Sequence, residues 1–335
     1  MVALLAARET SASVLYGLYD VLQSVGAAYA DMTLGVEGEA LLDVRIVAAG
    51  RDPFRCFGNI LVEPGATIGD VGPVDVAIVC DMYTPIDSSP VGRYPAEVAW
   101  LQRAHAEGAL VASVCSGSLL LAEAGLLEGR PCATHWAYGD LFRRHYPNVQ
   151  VAGHAILMLE SEPDGIITAG GVTSWQDLAI HLIRRLCGPE QAIRTAKVYL
   201  LAGHEDGQLP FAAMNRQIQL IDAAVARSQA WITDHYAATN PVAAMAAHAG
   251  LPRRTFGRRF RAATGTLPID YVHELRVDEA KQRLETGRAA IDDIGAEVGY
   301  EDPTFFRRLF KRKTGLTPAA YRRKYAAIAG GAAVA

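Results

Sequence analysis

Along its first 190 residues the chain alternates two kinds of apolar pattern. Residues 2–6, 44–49, 74–80 and 110–114 are short continuous runs rich in β-branched side chains, and 166–168 is another, ending at the Gly170-Gly171 turn. Such runs predict strands. Between them the period lengthens. From Ser174 onward, Trp175, Leu178, Ala179, Leu182, Ile183 and Leu186 fall at i, i+3, i+4, i+7, i+8 and i+11, one apolar stripe on a helix. Strands alternating with helices predict an α/β domain: a mostly parallel sheet with helices on both faces. Open sheets of this kind bind ligands beyond the carboxyl ends of their strands.

Past Gly188 the strand pattern stops. Residues 189–201 read as a helix and 204–210 as a polar, glycine-bearing linker. From Phe211 on, every segment reads as helical, punctuated by Gly and Pro. Within this all-α part the chain repeats itself. Residues 252–271 (PRRTFGRRFRAATGTLPIDY) lie over 302–321 (DPTFFRRLFKRKTGLTPAAY) at an offset of 50. The offset matches Phe256 with Phe306, Arg258 with Arg308, Phe260 with Phe310, Gly265 with Gly315 and Tyr271 with Tyr321. In each copy a short helix (242–249; 291–298) ends at a glycine suited to a left-handed cap, Gly250 or Gly299. A turn with Pro252 or Pro303 follows, then a second helix with aromatic residues at i and i+4 inside and basic residues outside.

That is the helix-turn-helix plan, in which the second helix enters a DNA major groove. The first reading helix offers Arg253, Arg254, Thr255, Arg258, Arg259 and Arg261; the second offers Thr304, Arg307, Arg308, Lys311, Arg312 and Lys313. Residues near each helix start are the candidates for base edges, and the later basic ones for phosphates. Val277, Ala280 and Leu284 stripe a connecting helix that would hold two readers at fixed separation, suiting adjacent groove segments about one turn (~10 bp) apart.

Charge sharpens this division. The net charge of −4 conceals 13 Lys+Arg against 23 Asp+Glu in residues 1–205 and 19 against 13 in residues 206–335. An acidic body with a basic end confines nucleic-acid contact to one domain. The length of 335 residues suits two or three domains and an ample core, with no need of a disulfide or metal staple. Five scattered cysteines, Cys56, Cys80, Cys115, Cys132 and Cys187, are odd in number and fit the reducing cytoplasm. No CxxC or HExxH occurs, so no metal or cofactor is expected, and no apolar run approaches the ~18 residues of a membrane span. The start lacks the basic and apolar regions of a secretory signal.

One motif of the acidic part carries candidate chemistry. The strand-like run 110–114 leads into Cys115-Ser116-Gly117 and then into the helical SLLLAEAG. A cysteine on a strand-to-helix turn meets free N–H groups and the helix dipole, which favour a thiolate. His135, in Ala133-Thr134-His135-Trp136, is its candidate partner. Cys115, Ser116, Gly117, His135 and Trp136 are the candidate lining of a ligand pocket. Asp177, on the polar side of its helix, is expected to be solvated.

These residues carry two resemblances. Residues 225–325, through FRAATGTLPIDYVHELRVDEAKQRLE and GYEDPTFFRRLFKRKTGLTPAAYR, resemble the AraC/XylS DNA-binding domain. Residues 1–190, through VCSGSLLLAEAGLLEGRPCATHW and ITAGGVTSWQDLAIHLI, resemble the ThiJ/PfpI-like domain, a flavodoxin-like relative of class I glutamine amidotransferases. Joined in this order they look like the GlxA-type regulators of bacteria. The resemblance implies a sensor domain over 1–190, linker helices over 191–224, a DNA-binding domain over 225–325 and a tail over 326–335. It implies a cytoplasmic homodimer that binds promoter DNA, engages RNA polymerase and activates transcription in response to a small, nitrogen-containing effector. In the family's enzymes an early acid accompanies the elbow cysteine; here Val14 stands at that place, and Ser116 replaces the histidine that follows the cysteine in protease-like members. No catalytic residue is therefore expected. The alternatives are a cysteine hydrolase or hydratase using Cys115, and a redox switch at the same thiol.

Overall fold

The computed structural model describes residues 1–159, 165–204, 206–212 and 222–330. They belong to two compact units, Met1–Gln208 and Leu209–Ala335. The first unit runs beyond residue 190 because the next helix and the segment after it pack inside it.

Its strands are β1 (Val2–Leu5), β2 (Val44–Ala48), β3 (Phe54–Arg55), β4 (Leu61–Val62), β5 (Ala66–Thr67), β6 (Val76–Val79), β7 (Leu110–Val114), β8 (Pro131–Cys132), β9 (Gln150–Val151), β10 (Leu157–Leu159) and β11 (Ile166–Ala169). Its helices are α1 (Ala12–Gln23), α2 (Ala28–Leu34), α3 (Pro95–Ala106), α4 (Ser118–Glu123), α5 (Gly139–His145), α6 (Trp175–Cys187) and α7 (Pro189–Tyr199). Seven strands form one sheet in the order β10-β11-β7-β6-β1-β2-β5, parallel except for β10 against β11. All five expected strands are in it. Alternate side chains of each strand leave opposite faces. Val2, Leu4, Val76 and Ile78 thus join one core with α1 and α6, while Ala3, Leu5, Ala77 and Val79 join the other with α3, α4 and α5. Burial on both faces is why these strands read as continuous apolar runs. The α6 stripe buries Leu178, Ala179, Leu182 and Ile183, whereas Leu186 is 40 % exposed. The last turn still reaches this core through the half-buried Cys187.

The strands' carboxyl ends come together. Ala169 pairs with Val114, and Val79 with Ser113. Cys115, Gly170 and the Cys80-Asp81 pair therefore leave the sheet side by side, at the edge where such sheets bind ligands.

The second unit is helical: α8 (Ala223–Asp234), α9 (Pro241–His248), α10 (Arg253–Thr264), α11 (Pro268–Thr286), α12 (Ile291–Glu297), α13 (Pro303–Thr314) and α14 (Pro318–Gly330). The helices expected within 213–221 lie outside the described residues, as do the last five residues of the tail. Two cores flank α11. One holds Phe256, Phe260 and Tyr271; the other holds Phe306, Phe310 and Tyr321 with Val277, Ala280 and Leu284. The repeat is a repeat in space. Gly265 and Gly315 both take φ +77°, a left-handed cap that favours glycine. Thr264 and Thr314, just before them, donate to the carbonyls of Phe260 and Phe310 at 2.8 and 2.9 Å.

Candidate functional sites

Strand β7 delivers Cys115 to a sharp turn. Val114 is extended (φ −118°, ψ 133°), Cys115 has φ +55°, and the 3-10 turn Cys115–Gly117 runs directly into α4. A positive φ on a residue other than glycine costs about 1–3 kcal/mol, so its surroundings must fix it. Thr134 Oγ1 and Ser118 Oγ lie 3.1 and 2.9 Å from the Cys115 carbonyl oxygen. Gly117 lets the turn press on the neighbouring strand: a Cβ there would stand 2.6 Å from the Val79 oxygen and 2.7 Å from that of Cys80.

The thiol is not the expected thiolate. Cys115 is buried, and the Asp81 carboxylate lies within hydrogen-bonding reach of it. Burial first, then the Asp81 charge, push the thiol well above its ordinary range. The dipole of a six-residue helix, worth about 1 kcal/mol at such an end, is outweighed. Asp81 was not singled out by the sequence. Its signal is an acid two residues beyond a buried strand, at the carboxyl edge. Val14 is fully buried in α1, so the acid near this cysteine comes from a different element. Ser11 Oγ donates to Asp81 Oδ2 at 2.5 Å, and Ser116 Oγ lies 2.6 Å from Oδ1. Ser116 Oγ also accepts from the Met82 N–H at 3.1 Å.

Iodoacetamide at pH 8 is expected to alkylate Cys115 at least about tenfold more slowly than free cysteine, because the thiolate is the nucleophile. Asp81→Asn removes the second cause and is expected to speed alkylation severalfold without reaching the free rate. Peptide mass spectrometry over time checks both; a Cys115 labelled as fast as free cysteine overturns the assignment.

His135 has one ring nitrogen engaged by its own turn. Its Nδ1 accepts from the Ala137 N–H at 3.2 Å, and its ring lies 5.0 Å from that of Trp136 and 6.1 Å from that of Tyr138. Burial lowers its pKa below the usual histidine value, so the ring is neutral at pH 7. Beside Ser116 a narrow cleft is lined by Met82, Thr84, Tyr94, Ser116, Leu119 and Glu123. Of the five expected pocket residues it takes Ser116. Asp177 is not solvated: its Oδ2 meets His204 Nδ1 at 2.6 Å and its Oδ1 accepts from the His204 N–H at 3.1 Å. The partner is 27 residues away in a linker, which helix periodicity does not report. Gln208, of the same linker, is 3 % exposed. Its Oε1 accepts from the backbone N–H of Trp136 at 3.2 Å.

In the second unit α10 and α13 each present one exposed basic face. Arg254, Arg258 and Arg261 stand at i, i+4 and i+7 on α10; Thr304, Arg308 and Lys311 stand at the same spacing on α13, offset by 50. Arg253, Arg307 and Arg312 are exposed beside them, and Thr255 is half-buried. Arg307 is also paired with Asp292 at 2.6 Å, an exposed pair, while Arg308 lies over the Phe305 ring at 5.8 Å. Lys313 is held by Glu274 at 3.0 Å. Arg259 is paired within the unit, although its side chain stays 40 % exposed. Its Nε and Nη2 donate to both oxygens of Asp222 at 2.8 Å, and Asp222 in turn caps α8 through the N–H groups of Ala224 and Val225. The Arg259 guanidinium holds the Asp222 carboxyl down at about 2.

Sequence comparisons match the two parts of the chain to separate families. Residues 2–185 match the DJ-1/PfpI family, and residues 245–324 match a helix-turn-helix domain family. The HTH-type transcriptional regulator CdhR of Pseudomonas aeruginosa is 27 % identical over 275 residues, which cover 78 % of this chain and 77 % of CdhR. The HTH-type transcriptional regulator GlxA of Rhizobium meliloti is 29 % identical over 228 residues, covering 67 % of this chain and 68 % of GlxA. Drosophila melanogaster DJ-1beta, a solved structure, is 16 % identical, with a TM-score of 0.49 over 60 % of this chain and 98 % of that one.

Proposed function

We infer that this chain, which belongs to the DJ-1/PfpI family and carries a helix-turn-helix domain, is a DNA-binding transcription regulator. One observation carries the reading. Two helices 50 residues apart expose equivalent basic faces, and both are rooted in cores that share α11. One exposed basic helix is common on any surface; two in equivalent settings suit two successive groove segments.

Arg253, Arg254, Thr255 and Thr304, near the helix starts, face base edges; Arg258, Arg261, Arg307, Arg308, Lys311 and Arg312 face bases or phosphates further along each helix. Arg259 acts on position, through Asp222. The first unit senses a small effector at the carboxyl edge of its sheet, by the cleft beside Ser116, and the protein works in the cytoplasm as a homodimer that activates transcription with RNA polymerase. An effector acts only through a difference in affinity between two conformations. The protonated, buried Cys115 supports a structural part for that residue over nucleophilic or redox chemistry.

Fluorescence anisotropy on a duplex from the gene's own upstream region, against a scrambled duplex, tests the central claim. At ~150 mM salt the upstream duplex is expected to bind at least about 10³-fold more tightly. Affinity for both duplexes is expected to fall steeply as salt rises, because phosphate contacts release counterions. Equal affinity for the two duplexes at every salt concentration overturns specific regulation from that region. Light scattering on the same sample reads the oligomeric state, with a dimer expected.

A further inference from the structure

Gln208 is the last residue of the first unit, and its side chain is buried in that unit rather than solvated in a linker. The amide is read by backbone alone. Nε2 donates to the carbonyls of Thr134 and Ala155 at 2.9 and 2.8 Å, and Oε1 accepts from the Trp136 N–H at 3.2 Å. Two acceptors face the NH₂ end and one donor faces the oxygen end. That pattern selects a primary carboxamide. A carboxylate would bring a second oxygen against two carbonyls, and a guanidinium has no acceptor for the Trp136 N–H. The floor of the cradle is cleared for it: a Cβ on Gly170 would stand 2.2 Å from Gln208 Nε2. Gly170 directly follows Ala169, the partner of Val114 in the sheet. The cradle is therefore next to the Cys115 elbow, and Thr134, which supplies one carbonyl, also contacts the Cys115 carbonyl.

We propose that the Thr134–Trp136 turn, Ala155 and Gly170 form a binding site for compounds ending in C(=O)NH₂, which Gln208 of the chain itself occupies as a displaceable plug. This rests on the regulator reading for its biological use, but the site stands on its own geometry. Gln208 immediately precedes the DNA-reading unit, so an external carboxamide that takes its place frees the end of the segment leading there. The Gln208 N–H bond to the His154 carbonyl at 3.1 Å, the His204–Asp177 pair and the His204–Thr173 contact at 3.1 Å are further attachments of that segment. A plug tethered to its site competes as an intramolecular ligand, so a free carboxamide binds the intact protein weakly and the plug-less protein more tightly.

The test uses the full chain and propionamide, which reproduces the Gln208 side chain beyond Cα. Propionate and ethylguanidinium serve as controls of equal reach. Saturation-transfer NMR is expected to show propionamide binding Gln208→Ala at least tenfold more tightly than wild type, with either control at least tenfold weaker than propionamide. Deuterium uptake over residues 204–212 is expected to rise at least fivefold in Gln208→Ala and in Gln208→Glu, and to rise in wild type when propionamide is added. Unchanged uptake in both variants overturns the plug. Propionamide binding no better than propionate on Gln208→Ala overturns the amide site. Neither readout involves DNA. A protein that passes them without preferring its upstream duplex keeps the amide site and loses the regulator reading; one that fails them while preferring that duplex does the reverse.

Discussion

Arg276→Leu is expected to destabilise the second unit by about 3–5 kcal/mol, because three carbonyls lose their donor at about 1–3 kcal/mol for each one left unsatisfied. Arg276 lies in the middle of α11 and is 6 % exposed. Its guanidinium donates to the carbonyls of Tyr236, Gly299 and Ala238 at 2.7, 2.7 and 2.9 Å and sits 5.1 Å from the Tyr300 ring centre. Tyr236 and Ala238 precede α9 of the first helix-turn-helix, and Gly299 is in the turn of the second. One side chain therefore fastens both motifs to their connecting helix. Leucine fills part of the volume but leaves three carbonyls short of a donor. Arg276→Lys is expected to fall between, since an ammonium cannot present the planar fork that reaches three divergent acceptors. Calorimetry of the full chain should show one transition lowered by more than ~10 °C. Peptide-resolved deuterium uptake should place the loss within α8–α14. A shift below about 3 °C, with uptake unchanged there, would show that the carbonyls find other partners.

Arg276 also marks what the sequence does not disclose. The five sheet strands, the α6 stripe and the 50-residue repeat are legible because each is a local pattern of apolar and turn-forming residues. A buried strand has no polar side to its pattern, and a repeated motif confirms itself. Arg276, Asp81, Gln208 and the Asp177–His204 pair are polar residues whose setting depends on segments far away in the chain. In a helix of mixed polarity, Arg276 reads as one more surface cation. In a glycine-bearing linker, Gln208 reads as solvated. The elbow illustrates the same limit from the other side. Its backbone turn is legible from a strand, a Cys-Ser-Gly and a helix, yet its chemistry is set by Asp81, delivered by a different strand. The thiol is protonated because of burial and that carboxylate, neither of which the local motif carries. The spacing of Arg259 groups it with the other reading-helix arginines; the Asp222 carboxylate that pairs with it lies 37 residues upstream.

Arg258→Ala and Arg308→Ala are each expected to weaken binding to the upstream duplex about 5- to 100-fold, the span of one base or strong phosphate contact. Together they should weaken it by the product of the two factors. Additivity is expected because the residues stand on different reading helices and share no partner. The two occupy equivalent places, one turn beyond Arg254 on α10 and one turn beyond Thr304 on α13. If both helices engage one duplex, neither single variant is silent. If only one helix docks, one variant leaves affinity unchanged and the double variant equals the other single, which would overturn the two-reader arrangement. The salt dependence separates the roles. A lost phosphate contact lowers the slope of log K against log salt by about 1 and weakens the scrambled duplex as well; a lost base contact leaves the slope and relaxes the preference. Arg259→Ala is the control that ties structure to function. Its guanidinium serves Asp222 and the start of α8, so the variant is expected to lower the melting temperature while leaving the ratio of affinities for the two duplexes unchanged. A changed ratio would instead place Arg259 in the groove, released from Asp222 by DNA.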